Sequence, residues 1–382
     1  MLSLATFEAG FATRPLGAFV IGNYADRVGR RPAMILCFVL IGCAMVGMAV
    51  TPTYATIGIA APILAVLARL LQGFSLGGEI GSNTAYLMEV APAQKRGFTV
   101  SLQSATQCLA VLIGGLVGAL LTAVLPPAAL DAYGWRIAFL VGAAAVPFGL
   151  WLRTNLPETL DEPEQITAAP VTSASRLRLA YTYRRLMILA LVVMASIFIT
   201  NYVLVYVVTY AQATLHLPAR AGFIAESIGT ALAIPIAIWS GWLSDKYGRR
   251  PLNLWGNLIL LLMIYPVFAW VVATRSPLAL IVGMTSLNAG ASILQGSFYA
   301  SMVESLPKSI RSSGFGTLYS LSVATFGGTT QLVVTWLIHI TGSPMAPAWY
   351  LMGAVFVSQI ALMMMAESAP ARIATELALD TV

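Results

Sequence analysis

The stretch "GNYADRVGRRP", residues 22–32, recurs later in the chain as "GWLSDKYGRRP", residues 241–251. Both copies have glycine, aspartate, glycine, two arginines and proline at the same places. A second motif, a glutamate followed by an arginine at residues 89–96, repeats in the same order at residues 304–311. Two motifs that recur in the same order at nearly the same separation predict a chain of two homologous halves.

The composition predicts an integral membrane protein. Of the 382 residues, 58% are hydrophobic and 9% are charged, whereas a soluble domain is about 25% charged. With only three cysteines, a disulfide scaffold is excluded, and their position inside apolar runs indicates small core residues. His216 and His339 are far apart and lack neighbours at metal-ligand spacing, so no metal site is predicted. The net charge of +6 comes in short basic clusters between apolar segments, a pattern typical of polytopic membrane proteins rather than nucleic-acid binding.

Eleven segments are apolar and long enough to span a membrane, which needs about 20 residues. They are residues 3–24, 33–51, 61–89, 99–124, 136–153, 185–210, 222–243, 252–273, 277–303, 313–337 and 347–366. Most of the 21 Lys and Arg residues lie in alternate connections and in the C-terminal tail. The positive-inside rule makes that side cytoplasmic. The sequence therefore predicts an all-α membrane protein with a cytoplasmic C-terminus.

The longest polar interruption divides these spans into two groups. Residues 154–184 are rich in acidic, proline, serine and alanine residues and predict a cytoplasmic linker. An N-terminal bundle of five spans at 1–153 precedes the linker, and a C-terminal six-helix bundle at 185–366 follows it. Residues 367–382 are predicted to form a cytoplasmic tail. Parallel repeats joined in this way are typical of one large transporter architecture.

Each copy of the repeated motif predicts a tight cytoplasmic turn between two spans. Its glycines permit left-handed backbone, and its aspartate can pair with an arginine or cap the next helix. Such a charged latch can bias one of two conformations; the alternative is an anchor that only holds the turn inside. The residues predicted to form the latch are Gly22, Asp26, Arg27, Gly29, Arg30, Arg31, Glu89, Arg96, Gly241, Asp245, Gly248, Arg249, Arg250, Glu304 and Arg311.

The repeated motif resembles the signature loop of the major facilitator superfamily. More narrowly, "TRPLGAFVIGNYADRVGRRP", "PTYATIGIAAPILAVLARLLQGFSLGGEIG", "EVAPAQKRGF" and "YGWRIAFLVG" resemble the metabolite:proton symporter family. The opening "LSLATFEAGF" is similar to its citrate/tricarboxylate-type members. The resemblance implies a two-bundle transporter. Family members have twelve spans and the first span here corresponds to their second, so the resemblance also predicts that the first helix is absent, through a misassigned start or a truncation.

Ionisable groups inside spans are candidates for the functional site. Arg14 lies about 18 Å along its helix from Asp26, and Glu79 about 15 Å from Glu89, which places both near mid-membrane. Arg69 and Glu79 have no charged counterpart in the second half, which favours a site over a scaffold. In the superfamily that this chain resembles, an arginine at the position of Arg69 is associated with proton coupling.

We predict two sets of functional side chains. Substrate contacts are assigned to Arg14, Arg69, Asn83, Gln103, Gln107, Tyr202 and Tyr206. Proton coupling is assigned to Glu79, Arg69 and Glu226. The alternative for each is a buried ion pair or hydrogen bond that only holds helices together.

The leading interpretation is a secondary transporter that carries a small organic acid, such as citrate or a related di- or tricarboxylate, together with protons by alternating access. One alternative is a carrier of a zwitterionic osmolyte such as betaine or proline, which needs aromatic faces. Another is a membrane protein that does not transport, such as a sensor. No nucleotide-binding loop or catalytic triad occurs, so no enzyme activity is predicted. We expect a monomer in the bacterial inner (cytoplasmic) membrane, with no cofactor other than the coupling proton.

Overall fold

The computed structural model describes residues 2–159 and 181–370. Most of the predicted linker and the end of the predicted tail, residues 160–180 and 371–382, lie outside the described residues. Within the described ranges all the regular elements are helical.

Fifteen α-helices can be assigned in the described ranges. They are α1 (Leu2–Val28), α2 (Arg30–Val50), α3 (Tyr54–Ile57), α4 (Ala60–Val90), α5 (Arg96–Val124), α6 (Pro127–Ala129), α7 (Trp135–Thr154), α8 (Arg184–Val205), α9 (Val207–Ala213), α10 (Ala219–Tyr247), α11 (Arg249–Thr274), α12 (Pro277–Glu304), α13 (Arg311–Ser322), α14 (Gly328–Thr341) and α15 (Ala346–Met363). Short 3-10 turns precede α5 and α13, and π-helical turns occur at Leu130–Gly134 and Val323–Gly327.

Ten helical segments of the described chain are long and apolar enough to cross a membrane. They coincide with ten of the eleven predicted spans. The remaining prediction, residues 3–24, falls on α1, a helix of 27 residues. Arg14, Pro15 and Asp26 lie in α1 and reduce its apolar content. The prediction of an all-α membrane protein is confirmed, and the eleventh span stays a prediction.

Two predicted spans are not single continuous α-helices. Residues 185–210 form α8 and α9, which meet at Tyr206. Residues 313–337 contain the π-helical turn Val323–Gly327 between α13 and α14. Single π-turns inside α-helices occur frequently at functional sites, and hydropathy does not reveal them because their residues are as apolar as the flanking helix.

The chain forms two compact units by its internal contacts. Unit 1 comprises residues 1–89, 113–172 and 306–324, and unit 2 comprises residues 90–112, 173–305 and 325–382. Each unit therefore contains a segment from the other half of the sequence. These units follow contacts, whereas the predicted bundles at 1–153 and 185–366 follow the sequence repeat, which has its boundary at the linker.

Each unit is built by helices packing through small and apolar side chains. In unit 1, α1 packs against α2 and α13, and α2 packs against α7. In unit 2, α10 packs against α12, while α11 contacts α12 and α15. Unit 2 has a large core that includes Phe268, Leu287 and Val355, all fully buried. Unit 1 has a smaller cluster around Ile21 and Cys37.

Candidate functional site

The first copy of the motif belongs to a group of five charged residues in unit 1, Asp26, Arg30, Glu89, Glu158 and Arg311, which we call the first charged cluster. Arg30 is fully buried, and its Nη1 lies 2.5 Å from Asp26 Oδ1. Its Nε and Nη2 donate to the two oxygens of Glu89 at 3.1 and 2.9 Å. Arg311 Nη1 lies 3.2 Å from Glu89 Oε1. A buried arginine thus joins two carboxylates, which compensates the cost of burying its charge.

The carboxylate of Asp26 also caps helix α13. It accepts hydrogen bonds from the backbone N–H groups of Ser312 and Ser313 at 3.0 and 2.9 Å. First-turn N–H groups have no acceptor inside their own helix, and the helix dipole favours a negative charge there. Gly22 allows the approach, because a Cβ atom at this position would lie 2.7 Å from Ser313 Cα. Asp26 therefore binds a helix that comes from the second half of the sequence.

The helix after the motif, α2, is capped by Glu158 and not by Asp26. Glu158 accepts hydrogen bonds from the N–H groups of Arg30 and Arg31 at 2.9 and 3.0 Å. Asp26 still lies within α1, whereas the N-cap position of α2 is Gly29, whose φ is 134°. A Cβ atom on Gly29 would lie 2.4 Å from Glu158 Oε2. Glycine is thus needed both for the backbone conformation and for the approach of this carboxylate.

Unit 2 contains the second charged cluster, formed by Asp245, Arg249, Glu304, Arg96 and Glu367. Arg249 Nη1 lies 2.8 Å from Asp245 Oδ1, and its Nε and Nη2 bind Glu304 at 3.1 and 3.0 Å. Glu367 accepts hydrogen bonds from the N–H of Arg249 at 2.9 Å and from that of the next residue at 3.1 Å. The sequence repeat is therefore also a repeat of contacts.

Asp245 caps helix α5 in the same way as Asp26 caps α13. It accepts hydrogen bonds from the N–H groups of Gly97 and Phe98 at 2.8 and 2.9 Å. Gly241 lies where a Cβ atom would be 2.5 Å from the carbonyl oxygen of Gly97. Gly248 has a φ of 97° and is the N-cap residue of α11. Both copies thus combine a close helix crossing, a buried aspartate and a turn that requires glycine.

The other predicted latch residues lie at the edges of the two clusters. Arg31 and Arg250 donate to the carbonyl oxygens of Thr154 and Met363, respectively. The Nε atom of Arg96 is buried without a hydrogen-bond partner, and Arg27 is exposed. The side chains of Arg31 and Arg250 thus bind no carboxylate of the described residues, whereas Arg30 and Arg249 each bind two.

Two residues of the clusters, Glu158 and Glu367, were not predicted. Each lies four residues after the last residue of a helix, Thr154 in α7 and Met363 in α15. Each is followed by a hydroxyl residue that donates to the buried glutamate of its cluster. Thr159 Oγ1 lies 2.7 Å from Glu89 Oε2, and Ser368 Oγ lies 3.3 Å from Glu304 Oε2. A glutamate and a hydroxyl residue at equal distances beyond corresponding helices is the signal that could have revealed them.

The intramembrane carboxylate Glu79 is paired with Arg153, the last residue of the predicted span 136–153. Arg153 Nη2 lies 2.9 Å from Glu79 Oε1 in unit 1. The guanidinium of Arg153 also lies over the ring of Phe38, 3.4 Å from its centroid. This ion pair joins α4 to α7. The alternative considered for Glu79, an ion pair between helices, is therefore seen in the structure.

The two intramembrane arginines of unit 1 are not part of either charged cluster. Arg14 is partly buried and lies over Phe11, 4.3 Å from the ring centroid, and its buried Nε has no hydrogen-bond partner. Arg69 Nη1 donates to Gln72 Oε1 at 2.9 Å. Helices α1 and α4 cross closely here, since a Cβ atom on Gly77 would lie 2.0 Å from the carbonyl oxygen of Arg14. Asn83 is partly buried on α4.

The remaining predicted site residues lie in unit 2. Gln103 is buried and Gln107 is partly buried on α5. Tyr206 Oη lies 3.1 Å from Thr335 Oγ1 on α14, and Tyr202 is partly buried one turn earlier. Glu226 is partly buried on α10. The contact of Tyr206 fits the alternative of a hydrogen bond between helices.

A sequence model described as Major Facilitator Superfamily matches residues 4–328. The chain belongs to the major facilitator superfamily. The citrate-proton symporter of Salmonella typhi is 34% identical to it over 92% of this chain and 81% of that protein. A putative proline/betaine transporter of Staphylococcus aureus (strain COL) is 31% identical over 92% of this chain and 76% of that protein. The predicted resemblance is confirmed, whereas the predicted absence of the first helix stays a prediction.

The solved structures of this superfamily have the same fold. The structure of the proton:xylose symporter XylE bound to 6-bromo-6-deoxy-D-glucose superimposes with a TM-score of 0.78. The match covers 96% of this chain and 86% of XylE at 18% sequence identity. The predicted all-helical fold of this superfamily is therefore confirmed. Membership of this superfamily and ten helices able to span a membrane show that the chain is a multi-pass membrane protein, and the relatives named above are bacterial.

Proposed function

We propose that this protein is a proton-coupled symporter of a small organic acid, such as citrate or a related di- or tricarboxylate, that works by alternating access. The observation that carries the proposal is the 34% identity to a citrate-proton symporter over 92% of the chain. The coupling ion is the proton, no further cofactor takes part, and the C-terminus is cytoplasmic. The proposed active form is a monomer in the bacterial inner membrane.

The substrate's carboxylate groups bind to arginine within the membrane in this proposal. Arg14 supports it best, because its buried Nε has no hydrogen-bond partner and a planar guanidinium binds carboxylate through two parallel hydrogen bonds. Arg69 is the second candidate cation. Asn83, Gln103, Gln107, Tyr202 and Tyr206 are proposed to contribute hydrogen bonds to the substrate.

The two charged clusters are proposed to act as the conformational latch. In each, one buried arginine holds two carboxylates, and an aspartate caps a helix that begins at Arg311 or Arg96. Capping bonds of this kind form only when the helix start is next to the aspartate. A movement that separates these groups would leave buried charges without partners, so the clusters favour the conformation in which they are assembled.

A carrier of a zwitterionic osmolyte is the second candidate. It is favoured by the 31% identity to a putative proline/betaine transporter over the same share of the chain. A quaternary ammonium group binds best over aromatic faces. The tyrosines of α8 and α9 could supply such faces, although Tyr206 and Tyr210 use their hydroxyl groups in hydrogen bonds to Thr335 and Pro344.

Uptake by proteoliposomes tests these proposals directly. The purified protein is reconstituted, and accumulation of labelled citrate is measured with an inward proton gradient and again after the gradient is collapsed by an ionophore. The organic-acid proposal predicts accumulation that requires the gradient. Accumulation of labelled betaine or proline without citrate uptake contradicts it and supports the second candidate. Folded protein that takes up neither compound supports a membrane protein without transport.

Arg14 offers a matched pair of variants for the substrate site. Arg14→Gln is expected to abolish citrate uptake, and Arg14→Lys to retain part of it, because lysine keeps the charge but loses the bidentate geometry. The control is Arg136→Gln. Arg136 stacks on Trp135 and donates to the carbonyl oxygen of Thr51, so it has partners of its own. Citrate uptake by Arg14→Gln at the level of the control would remove Arg14 from the site.

A further inference from the structure

The two intramembrane carboxylates that are candidates for proton binding have different surroundings. Glu79 lies 2.9 Å from the guanidinium of Arg153. A neighbouring cation favours the ionised form of a carboxylate, and removing that charge would leave the arginine without a partner. Glu226 has no ion pair or hydrogen bond to another residue in the described part of the chain. A group that must bind and release a proton in each cycle is better served by such surroundings.

Glu226 lies on the buried side of α10. Ala225, Gly229 and Ala233 are buried on the same helix, and the spacing of an α-helix places Glu226 on their side. Along the helix it is about 28 Å from Asp245 of the second charged cluster, at a rise of about 1.5 Å per residue. Glu226 is therefore close to the membrane surface opposite the motif, while it remains partly buried within unit 2.

The packing of α10 against α12 places polar groups at the level of Glu226. A Cβ atom on Gly229 would lie 3.0 Å from Asn288 Nδ2, and a Cβ atom on Gly296 would lie 2.3 Å from the carbonyl oxygen of Ala237. The two helices therefore run in the same direction, and their residues stay in constant register. The same register brings Glu226 level with Thr285, whose Oγ1 is buried and has no hydrogen-bond partner. A hydroxyl without a partner can serve a carboxylate in either protonation state.

The other titratable groups on α10, and on the helices and turns packed against it, either bind other residues or lie at other positions along these helices. They are Arg220, Asp245, Lys246 and Tyr247 on α10, Tyr299 and Glu304 on α12, Tyr210 on α9, Arg249, Arg250 and Tyr265 on α11, and Lys95 in the turn before α5. Tyr210 donates to Pro344, and Asp245, Arg249 and Glu304 form the second charged cluster. Arg220 is exposed at the start of α10.

We propose that Glu226 is the carboxylate that binds the coupling proton, with the Thr285 hydroxyl as its positioning partner. The proposal rests on the proposed proton-coupled transport and deepens it. The carboxylate takes one proton from water on the side opposite the motif, becomes neutral, and returns that proton to water on the other side. Glu79 and Arg153 form a structural ion pair that joins α4 to α7.

Two transport assays separate proton coupling from substrate movement. Accumulation driven by a proton gradient requires the coupling group, whereas exchange of external for internal citrate without a gradient does not. Glu226→Gln is expected to lose gradient-driven accumulation by at least about tenfold while exchange persists, because glutamine cannot carry a proton. Glu226→Asp keeps the carboxyl group and retains gradient-driven accumulation. Thr285→Val is expected to shift the pH dependence of accumulation without abolishing it.

Variants of the pair Glu79 and Arg153 are the control, because they are expected to retain gradient-driven accumulation. Replacing both charges, in Glu79→Gln with Arg153→Gln, removes the ion pair without leaving a buried charge, so gradient-driven accumulation should remain within about twofold of the unmodified protein. Gradient-driven accumulation by Glu226→Gln contradicts the proposal. So does a double variant of Glu79 and Arg153 that keeps exchange but loses accumulation.

Infrared spectroscopy gives a readout that requires no transported substrate. A pH titration of the purified protein in vesicles is expected to show a protonated carboxyl band that is absent in Glu226→Gln and present in the Glu79 and Arg153 double variant. If the unmodified protein takes up no citrate, the proposed function fails, yet the band still decides whether Glu226 binds a proton. A band that is unchanged in Glu226→Gln overturns the proposal.

Discussion

The two charged clusters have the same arrangement of charged residues, but they differ in the cations that neutralise the buried glutamate. In both, one arginine binds an aspartate four residues earlier and a glutamate from another helix. In unit 1 Glu89 has a second cation, Arg311, at 3.2 Å. A hydroxyl group donates to the glutamate in both clusters, from Thr159 in unit 1 and from Ser368 in unit 2. In unit 2 Arg96 acts on Glu304 through its charge but forms no ion pair with it in the described part of the chain, and its Nε is buried without a hydrogen-bond partner.

Two clusters with the same sequence motif therefore need not tolerate the same substitutions equally. A buried carboxylate that keeps one cation after a substitution loses less than a carboxylate that loses its principal cation. Glu89 has a reserve partner within ion-pair distance, whereas Glu304 depends mainly on Arg249. The second cluster should therefore be the more sensitive of the two, although both have the same motif.

The largest effect is expected for Arg249→Met. Removing the arginine of a buried pair costs about 3–5 kcal/mol, and we expect Arg30→Met to cost less because Arg311 still neutralises Glu89. Both variants are compared by their unfolding midpoints in detergent, followed by tryptophan fluorescence. The double variant of Arg30→Met with Arg311→Gln removes the reserve partner and should unfold as early as Arg249→Met. A lower midpoint for Arg30→Met than for Arg249→Met would falsify the ranking.

The glycine turns provide the second comparison. Gly29 has a φ of 134° and Gly248 a φ of 97°, and a side chain in such a conformation costs about 1–3 kcal/mol. Gly29→Ala should be more harmful than Gly248→Ala, because the new Cβ would also press on Glu158 Oε2. The same fluorescence assay measures both. The double variant of Gly29→Ala with Glu158→Ala removes the collision together with the cap, so its loss should be smaller than the sum of the losses of the two single variants. Additive losses would mean that the collision contributes nothing and that backbone strain accounts for the effect of Gly29→Ala.

The capping glutamates should behave alike in the two clusters. Glu158 and Glu367 each accept two backbone hydrogen bonds at a helix start. Loss of an N-cap acceptor costs about 1 kcal/mol, so Glu158→Ala and Glu367→Ala should each lower the unfolding midpoint by a similar, modest amount. Unequal shifts would show that one of the two caps contributes little to its unit.

The smallest effects are expected at the rims of the clusters. Arg31 is partly buried and Arg250 is exposed, and each donates to a single carbonyl oxygen. Contacts at such positions contribute about 0–1 kcal/mol. Arg31→Gln and Arg250→Gln should therefore unfold within the error of the unmodified protein. A clear destabilisation in either variant would extend the cluster beyond its five residues.

The helices could be predicted because apolar runs are a matter of local composition. The repeat could be predicted because it is visible when two stretches of the sequence are compared. Apolar runs of about 20 residues identify membrane helices without knowledge of their neighbours, and ten predicted spans coincide with helices. The repeat showed which residues correspond, so Arg30 and Arg249 could be assigned to one role. The break at Tyr206 and the π-turn Val323–Gly327 were missed, because the residues around them remain as apolar as a continuous helix.

Side-chain partners were harder to predict because they come from distant parts of the chain. The depth of Glu79 could be estimated from its distance to Glu89, but its pairing with Arg153 depends on how α4 and α7 pack. Similarly, the motif suggested that Asp26 pairs with an arginine or caps the next helix. It does pair with Arg30, but the helix that it caps is α13. Sequence gives the position of a residue along its own helix, and only packing determines which other helix faces it.

The exchange of segments between the two units has a consequence for synthesis. Unit 1 includes residues 306–324, and the amide groups that Asp26 binds belong to this segment. Ribosomes make chains from the N-terminus, so Asp26 enters the membrane long before its partners exist. Unit 2 reaches back to residues 90–112, which are already present when its own helices are made. Unit 1, which contains the first residues to be synthesised, therefore stays incomplete until the chain has reached residue 324.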